Sequence, residues 1–134
     1  MPRGGRRPSD RQGRHPNLLV AESYAAVRRP FVRYLEHYSF LVTQATNGDE
    51  LLAAVTRARP HVILTEVALP HMAAPRLSQW LANSYHTRHI PVIVLADALS
   101  ESAEATLGNP AGVLYKPFPL ATMLDEVRRV LRAQ

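Results

Sequence analysis

The sequence contains no cysteine, which excludes a disulfide framework, a thiol nucleophile and any metal site with cysteine ligands. No apolar run approaches the roughly 20 residues of a membrane-spanning helix, and the polar N-terminus has no signal-peptide core. Glycine is scarce: beyond residue 16 only Gly48, Gly108 and Gly112 occur, and none forms a glycine-rich phosphate loop. These absences argue against a nucleotide-dependent enzyme and predict a soluble cytoplasmic protein.

The positive charge of the chain is concentrated in its first 16 residues. The whole sequence of 134 residues has a formal net charge of +5. Residues 1–16 hold five arginines and one aspartate, a net of +4, which leaves +1 for residues 17–134. Because this segment has no Leu, Ile, Val or aromatic residue, it cannot bury enough apolar surface to order itself. We predict a disordered arginine-rich tail at 1–16, able to contact nucleic acid, and one folded domain at 17–134.

From Asn17 onward, five short β-like segments alternate with five amphipathic segments. The β-like segments are Leu18–Ala21, Phe40–Ala45, Val62–Glu66, Ile90–Leu95 and Gly112–Tyr115. The first, third and fourth are almost continuously apolar, as in central strands of a parallel sheet covered on both faces. The second alternates and is predicted at an edge. This order predicts an α/β fold, a doubly wound parallel sheet with right-handed crossovers.

Five helices are predicted from apolar spacing and from capping residues. The second has the clearest start, because Asn47 precedes Glu50 by three residues. The first is predicted behind an N-cap at Ser23, with Pro30 either delaying its start to about Ala26 or kinking it. The third is predicted from Pro75, a weak fourth at 100–107 and the last from about Leu120. The apolar stripe of the first helix is predicted to be Val27, Phe31, Leu35 and Tyr38, that of the third Leu77, Trp80 and Leu81, and that of the last Leu124, Val127 and Leu131.

Charged side chains fall at the carboxyl ends of the predicted strands, where ligands bind in open α/β sheets. Glu22 follows the first strand, Glu66 ends the third, and Lys116 follows the fifth. We expect these two carboxylates and one ammonium to converge, with ordinary solvated strand ends as the simpler alternative. His86 and His89 are three residues apart but have no third ligand in view, so surface histidines are predicted.

The ordered set LLVAES, ATNGDELL, VILTEVALPHM, PVIVLAD and YKPF resembles the receiver domain of bacterial two-component response regulators. The resemblance covers residues 17–134. It implies a flavodoxin-like fold with strand order 2-1-3-4-5 and a non-enzymatic signalling role in a phosphorelay. The partners it implies are a histidine kinase, a phosphotransfer protein or a downstream signalling protein, with a homodimer as a further alternative.

The resemblance also implies a phosphorylation site, which this chain matches in part. In the family an Asp ending strand three accepts the phosphoryl group, and an acidic pair after strand one helps to hold Mg²⁺. A Thr or Ser and a Lys bind the phosphoryl oxygens, and an aromatic residue on strand five follows the switch. Lys116 matches the lysine, Pro117 the proline that usually follows a cis bond, and Glu22 the second acid of the pair. The departures are Glu66 at the acceptor, Ala21 at the first acid, Ala96 at the Thr or Ser, and Val113 at the aromatic position.

These departures predict a degenerate receiver that is not phosphorylated. The Glu66 carboxylate extends one methylene beyond that of an Asp, and Mg²⁺ tolerates displaced ligands poorly. We expect no cofactor, weakened Mg²⁺ affinity, and a Glu66 that pairs with Lys116 and is thereby kept ionised against burial and against Glu22. Three alternatives stay open: phosphomimicry by Glu66, a still-functional phosphoacceptor, and a nucleic-acid-associated protein that binds through its tail.

Overall fold

The computed structural model of the protein describes residues 15–97 and 110–134. The strands in this part are β1 (Asn17–Ala21), β2 (Leu41–Ala45), β3 (Val62–Glu66), β4 (Ala68–Leu69), β5 (Met72–Ala73), β6 (Val92–Asp97) and β7 (Gly112–Lys116). The helices are α1 (Ala25–His37), α2 (Gly48–Ala58), α3 (Ala74–Ala82) and α4 (Leu120–Arg132). The helix predicted at 100–107 and residues 1–14 of the predicted tail lie outside the described residues.

Five strands form one parallel sheet in the order β2-β1-β3-β6-β7. The short strands β4 and β5 form a separate antiparallel pair. With that pair set aside, the sheet has the predicted order 2-1-3-4-5, so the flavodoxin-like fold is confirmed. The prediction that the second strand lies at an edge is also confirmed. The strands β1, β3 and β6 are almost entirely buried, as their continuous apolar sequences predict.

Side-chain alternation along the strands divides the apolar core into two layers. The layer against α2 and α3 includes Leu19, Leu51, Ile63, Leu77 and Val94. The layer against α1 and α4 includes Leu18, Leu35, Leu64, Leu95 and Val127. Residues two positions apart on one strand therefore share a layer, and this rule decides which loop residues meet beyond the strand ends.

The start of α1 lies within one residue of the delayed start predicted near Ala26, but its cap differs from the prediction. Its N-cap residue is Tyr24, whose side chain makes no capping hydrogen bond, and the helix begins at Ala25. Ser23 is not the cap, and its backbone amide instead donates to the Glu66 carboxylate. The helix runs through Pro30, which faces solvent.

The buried stripe of α1 also ends differently. Tyr38, predicted to be part of it, is 41% exposed and follows the helix as its C-cap residue. The buried residues are Phe31, Val32 and Leu35, so Val32 joins the core in addition to the predicted positions. A position three residues after Leu35 lies beyond the last full turn, where the backbone no longer holds helical spacing.

The predicted cap of α2 is confirmed. The Asn47 side chain accepts a hydrogen bond from the Glu50 amide at 2.9 Å. The Glu50 carboxylate in turn accepts bonds from the amide and the hydroxyl of Thr46, each at 2.7 Å. These bonds hold the pKa of Glu50 below its ordinary value. The Asn47 contact satisfies a backbone donor that the first turn of the helix leaves unpaired, and the Glu50 contacts hold Thr46, the residue before the cap.

A short hairpin that the sequence did not predict follows β3. Strands β4 and β5 are joined by a turn in which His71 has a φ of 69°. The Gly48 amide at the start of α2 donates to the Pro70 carbonyl at 2.7 Å. This hydrogen bond fixes the hairpin, which follows Glu66 in the chain, to the start of α2.

The predicted stripes of the last two described helices are largely confirmed. Leu77 and Leu81 of α3 are buried, as are Leu124 and Val127 of α4. Trp80 and Leu131 are partly buried and pack against the two core layers. Within 15–97 and 110–134, no helix has both the length and the apolar character needed to cross a membrane.

Candidate functional site

Two carboxylates and one ammonium meet at the carboxyl edge of the sheet. The Lys116 ammonium donates to Glu22 Oε1 at 2.6 Å. The same nitrogen lies 3.9 Å from Glu66 Oε2, beyond hydrogen-bond distance. Glu22, Glu66 and Lys116 each lie two positions after a residue of the layer against α1 and α4, namely Val20, Leu64 and Leu114. Strand alternation therefore brings the three side chains to the same face of the sheet.

The Glu22 carboxylate is the most buried member of this cluster. Its side chain is fully buried, whereas that of Lys116 is 21% exposed. A buried charge is tolerated only with a partner and with hydrogen bonds to its remaining lone pairs. Lys116 supplies the partner, and the Tyr24 amide donates to Glu22 Oε2 at 3.2 Å. Both oxygens of Glu22 are therefore held by protein donors.

The Glu66 carboxyl has only a long contact with the Lys116 ammonium, at 3.9 Å. Its Oε1 accepts a hydrogen bond from the Ser23 amide at 3.2 Å. Burial, followed by a hydrogen bond with Glu22 and the repulsion of that carboxylate, raises the pKa of Glu66 above its ordinary value. The expected pairing of Glu66 with Lys116 is present only as a long contact of 3.9 Å, and the raised pKa runs against the expectation that this contact keeps Glu66 ionised. The reason is that the ammonium sits on the fully buried Glu22, where desolvation makes a partner most necessary.

The three apolar site positions lie in the other layer of the core. Ala21 and Ala96 are buried in the layer against α2 and α3, and Val113 packs against it from a partly buried position. Ala21 ends β1 opposite Thr65, and Ala96 pairs with Tyr115 across the β6–β7 ladder. The charged cluster and these three side chains thus belong to opposite faces of the sheet.

The loop after β7 joins the cluster to α1. The Lys116–Pro117 peptide bond is cis, as the resemblance implied. The next residue, Phe118, stacks on Phe31 of α1, with ring centroids 5.3 Å apart. The backbone that carries Lys116 is thereby fixed between the sheet and α1.

Sequence reasoning missed the donors of the β1–α1 loop. Arg28 of α1 donates to the Glu22 carbonyl at 2.8 Å and to the Gln44 side chain at 2.9 Å. The amides of Ser23 and Tyr24 hold the two carboxylates. Backbone donors leave no signature in a sequence, whereas an arginine six residues after a buried acid is a signal that could have been used.

The carboxylate oxygens of Glu22 and Glu66 do not fit a Mg²⁺ ion. Mg²⁺ needs near-octahedral oxygen coordination and one or two free carboxylates. Here the Lys116 ammonium already occupies Glu22, and Glu66 is hydrogen-bonded to Glu22 and to the Ser23 amide. Within residues 15–97 and 110–134, no group of three or more His, Cys, Asp or Glu side chains is arranged to hold a metal.

The histidines lie apart from this cluster. His86 and His89 are exposed, as predicted for surface residues. His61 accepts a hydrogen bond from the Asn17 amide at 2.9 Å, and His71 lies 3.5 Å from Asp49. None of the four contacts Glu22, Glu66 or Lys116 through a bond recorded in the described part of the chain.

Comparison with curated proteins gives a consistent group of relatives. The chain is 25% identical over 114 residues to protein Rrf1 of Nitratidesulfovibrio vulgaris, covering 85% of this chain and 81% of Rrf1. It is 28% identical over 115 residues to the response regulator MprA of Mycobacterium leprae, covering 86% of this chain. That match spans only 50% of MprA, so the chain corresponds to about half the length of this relative.

Solved structures show the same fold. The chemotaxis response regulator CheY4 of Vibrio cholerae matches with a TM-score of 0.78 at 24% identity, over 87% of this chain and 98% of that one. A response regulator structure from Chloroflexus aurantiacus matches with a TM-score of 0.81 at 21% identity, again over 87% and 98%. The family model described as the response regulator receiver domain matches residues 18–128. With that match across most of the sequence and a five-stranded sheet in the expected order, this chain belongs to the response regulator receiver domain family.

Proposed function

We propose that this chain is a receiver module of two-component signalling that acts through protein contacts and is not phosphorylated. Receiver domains are signalling modules that interact with histidine kinases and downstream proteins. One observation supports the specific proposal most strongly. Lys116, which matches the lysine of the family, has its ammonium 2.6 Å from a carboxylate oxygen of buried Glu22. The same ammonium lies 3.9 Å from a carboxylate oxygen of Glu66, at the acceptor position.

The raised pKa of Glu66 is the second support. A carboxylate attacks a phosphorus atom through an ionised oxygen. The raised pKa of Glu66 reduces the fraction of ionised carboxylate, and its hydrogen bonds to Glu22 and Ser23 restrict it further. Movement of Lys116 toward a phosphoryl group on Glu66 would weaken its contact with the fully buried Glu22.

The absence of a required cofactor belongs to the same proposal. The ammonium of Lys116 occupies the carboxylate on which a cation would depend, and the layer that holds Ala96 and Val113 offers no oxygen ligand from those side chains. In this account the internal ion pair takes the place of a bound ion. Signalling would then depend on the level and binding of the protein and not on a phosphorylation cycle.

Intact-mass spectrometry with a small phosphodonor tests this function. We expect the full chain, incubated with acetyl phosphate and Mg²⁺, to show no stoichiometric phosphoryl adduct. The Glu66→Asp variant is the matched comparison, because it restores the acceptor residue type and leaves Glu22 and Lys116 in place. A stoichiometric adduct on the parent chain, mapped to Glu66 by peptide analysis, would overturn the proposal.

A further inference from the structure

A cavity of about 820 Å³ lies at the opposite edge of the sheet from the charged cluster. Its walls are the end of α2 with the residues that follow it, Trp80 of α3, and residues 84–91, while Gln134 borders one end. These segments precede β3 and β6, so the cavity is at the amino ends of the strands. Small-molecule sites have volumes of roughly 300–1,000 Å³. The cavity is thus large enough for a ligand of nucleotide size and is independent of Glu66.

The charged side chains that line this cavity are cationic. Arg59 and Arg88 contribute permanent positive charges, and His61, His86 and His89 add ring nitrogens. No Asp or Glu is among the described residues that line it. Neither arginine makes an ion pair with a carboxylate of the described residues. Two guanidinium groups without such partners favour an anion, and the guanidinium fork matches the geometry of phosphate oxygens.

Aromatic rings lie beside these cations. Tyr85 is 74% exposed, and the Arg88 guanidinium carbon lies 5.2 Å from the centre of its ring. The His86 ring meets the Tyr85 ring edge-on, with centroids 5.5 Å apart. Trp80 lines the same cavity from a partly buried position. Rings next to guanidinium groups favour a ligand that combines a flat ring with an anionic group.

The segment after α3 is held in place by its own hydrogen bonds. The Thr87 hydroxyl donates to the Leu81 carbonyl at 2.7 Å, and the Ser84 carbonyl accepts from the amides of Thr87 and Arg88. On the facing wall, the His61 Nδ1 atom accepts from the Asn17 amide, so a neutral His61 carries its proton on Nε2. A wall that is already ordered lowers the entropic cost of binding.

Arg59 occupies a backbone conformation in which glycine is usual. It is the C-cap residue of α2, with φ 49° and ψ 66°. Residues with a β-carbon are uncommon in this left-handed region, and helix ends of this kind favour glycine. The chain therefore keeps an arginine at the rim of the cavity at a position where the backbone alone would favour a different residue.

We propose that this cavity binds a nucleoside phosphate, with the phosphate at Arg59 and Arg88 and the base against Trp80 and Tyr85. The sequence has no glycine-rich loop at this edge, so side chains and not backbone amides hold the phosphate. We expect a dissociation constant on the order of 100 µM for a nucleoside monophosphate.

Trp80 makes a direct test possible because it is the single tryptophan of the chain. The full chain is titrated with adenosine and guanosine monophosphates, and tryptophan fluorescence and heat are recorded. The same titrations use inorganic phosphate alone, and adenosine and guanosine without phosphate. We expect a saturable response to at least one nucleotide, with an affinity about tenfold or more above that of either part alone. No saturable response up to about 5 mM nucleotide, or equal binding of phosphate or nucleoside alone, would overturn the inference.

Matched variants locate the site. Arg59→Gly removes one cation and suits the left-handed backbone, so the fold is retained; Arg88→Gln removes the other. We expect each to weaken nucleotide binding about tenfold. The control is Arg57→Gln, an exposed arginine on the last turn of α2 that does not line the cavity. Equal losses in Arg57→Gln and in the two cavity variants would show that general charge, and not this cavity, attracts the nucleotide.

Discussion

The Lys116 ammonium lies 2.6 Å from a carboxylate oxygen of Glu22, a side chain with no exposure to solvent. The two residues are 94 positions apart in the sequence, and they join the first and last strands of the parallel sheet at its carboxyl edge. In this arrangement the lysine neutralises a buried acid within the protein. The Glu66 carboxyl, at the position where the family carries its acceptor, is left with a raised pKa.

Removal of the Lys116 ammonium alone should lower the stability of the protein strongly, whereas removal of the Lys116 and Glu22 charges together should lower it less. We expect Lys116→Met to lower the free energy of unfolding by about 3–5 kcal/mol, because it leaves Glu22 buried without a partner. The double variant Lys116→Met with Glu22→Gln should lose less than about 2 kcal/mol. Urea unfolding measures both. Arg76→Met, at an exposed cation, is the control and should stay within about 0.5 kcal/mol of the parent. Equal losses in the single and double variants would show that the pair is not coupled.

The titration of Glu66 should make the protein less stable as the pH rises. A raised pKa means that the folded state binds the proton more tightly than the unfolded chain. The free energy of unfolding therefore falls as the pH rises from the ordinary value of 4.5 through the raised pKa. We expect Glu66→Gln to be stabilised relative to the parent at pH 7.5 and to lose that advantage near pH 4.

Glu126→Gln provides the control of opposite sign. Hydrogen bonds from Arg129 hold the pKa of Glu126 below its ordinary value, so its stabilisation is present at neutral pH and is lost at low pH. This variant should lose stability at pH 7.5 and match the parent in strong acid. If Glu66→Gln behaves in the same way as Glu126→Gln, then Lys116 dominates Glu66 and our assignment of the pair is wrong.

The cap of α2 should carry a measurable share of stability. We expect Asn47→Ala to cost about 1 kcal/mol, because its side chain satisfies the Glu50 amide. Chemical denaturation measures the loss. Gln79→Ala, at an exposed position of α3, is the matched comparison and should change stability by less than about 0.5 kcal/mol. A cost below that of the comparison variant would rule out a stabilising cap.

Two glycines should respond differently to the same substitution. A β-carbon at Gly48 would overlap Met72 Cβ and lie 2.7 Å from the His71 carbonyl, and this backbone cannot move aside cheaply. At Gly112 the nearest obstacle is the Glu126 carboxylate at the end of a flexible side chain. We expect Gly48→Ala to cost about 1–3 kcal/mol and Gly112→Ala to cost under about 1 kcal/mol. Thermal unfolding of both variants checks this, and a reversed order would mean that the hairpin after Glu66 is not fixed to α2.

The strands were predictable because their signal is local and strong. Val62–Glu66 was predicted with its exact bounds, since a continuously apolar run between polar loops has few other structures available. Asn47 was found for the same reason, as its cap depends on residues three positions apart. The hairpin of β4 and β5 was missed because strands of two residues have no periodicity to detect.

The pairing within the charged cluster was not predictable from residue types. The sequence pattern predicted Glu22, Glu66 and Lys116 at one edge of the sheet. It does not indicate which of the two carboxylates is more buried, and the more buried carboxylate is the one that the lysine contacts at 2.6 Å. The Ser23 cap failed for a related reason, since its amide is used by Glu66 across the sheet. Both errors concern contacts between residues more than 40 positions apart.

The most direct test is an amide NMR titration of the full chain with Mg²⁺, followed by beryllofluoride as a phosphoryl analogue. If the Lys116–Glu22 pair has replaced the phosphorylation site, the signals of Glu22, Glu66, Ala96 and Lys116 should not shift in a saturable way with either addition. Saturable shifts concentrated at these four residues would show that the site still binds a cation and a phosphoryl group, and would contradict the proposed function.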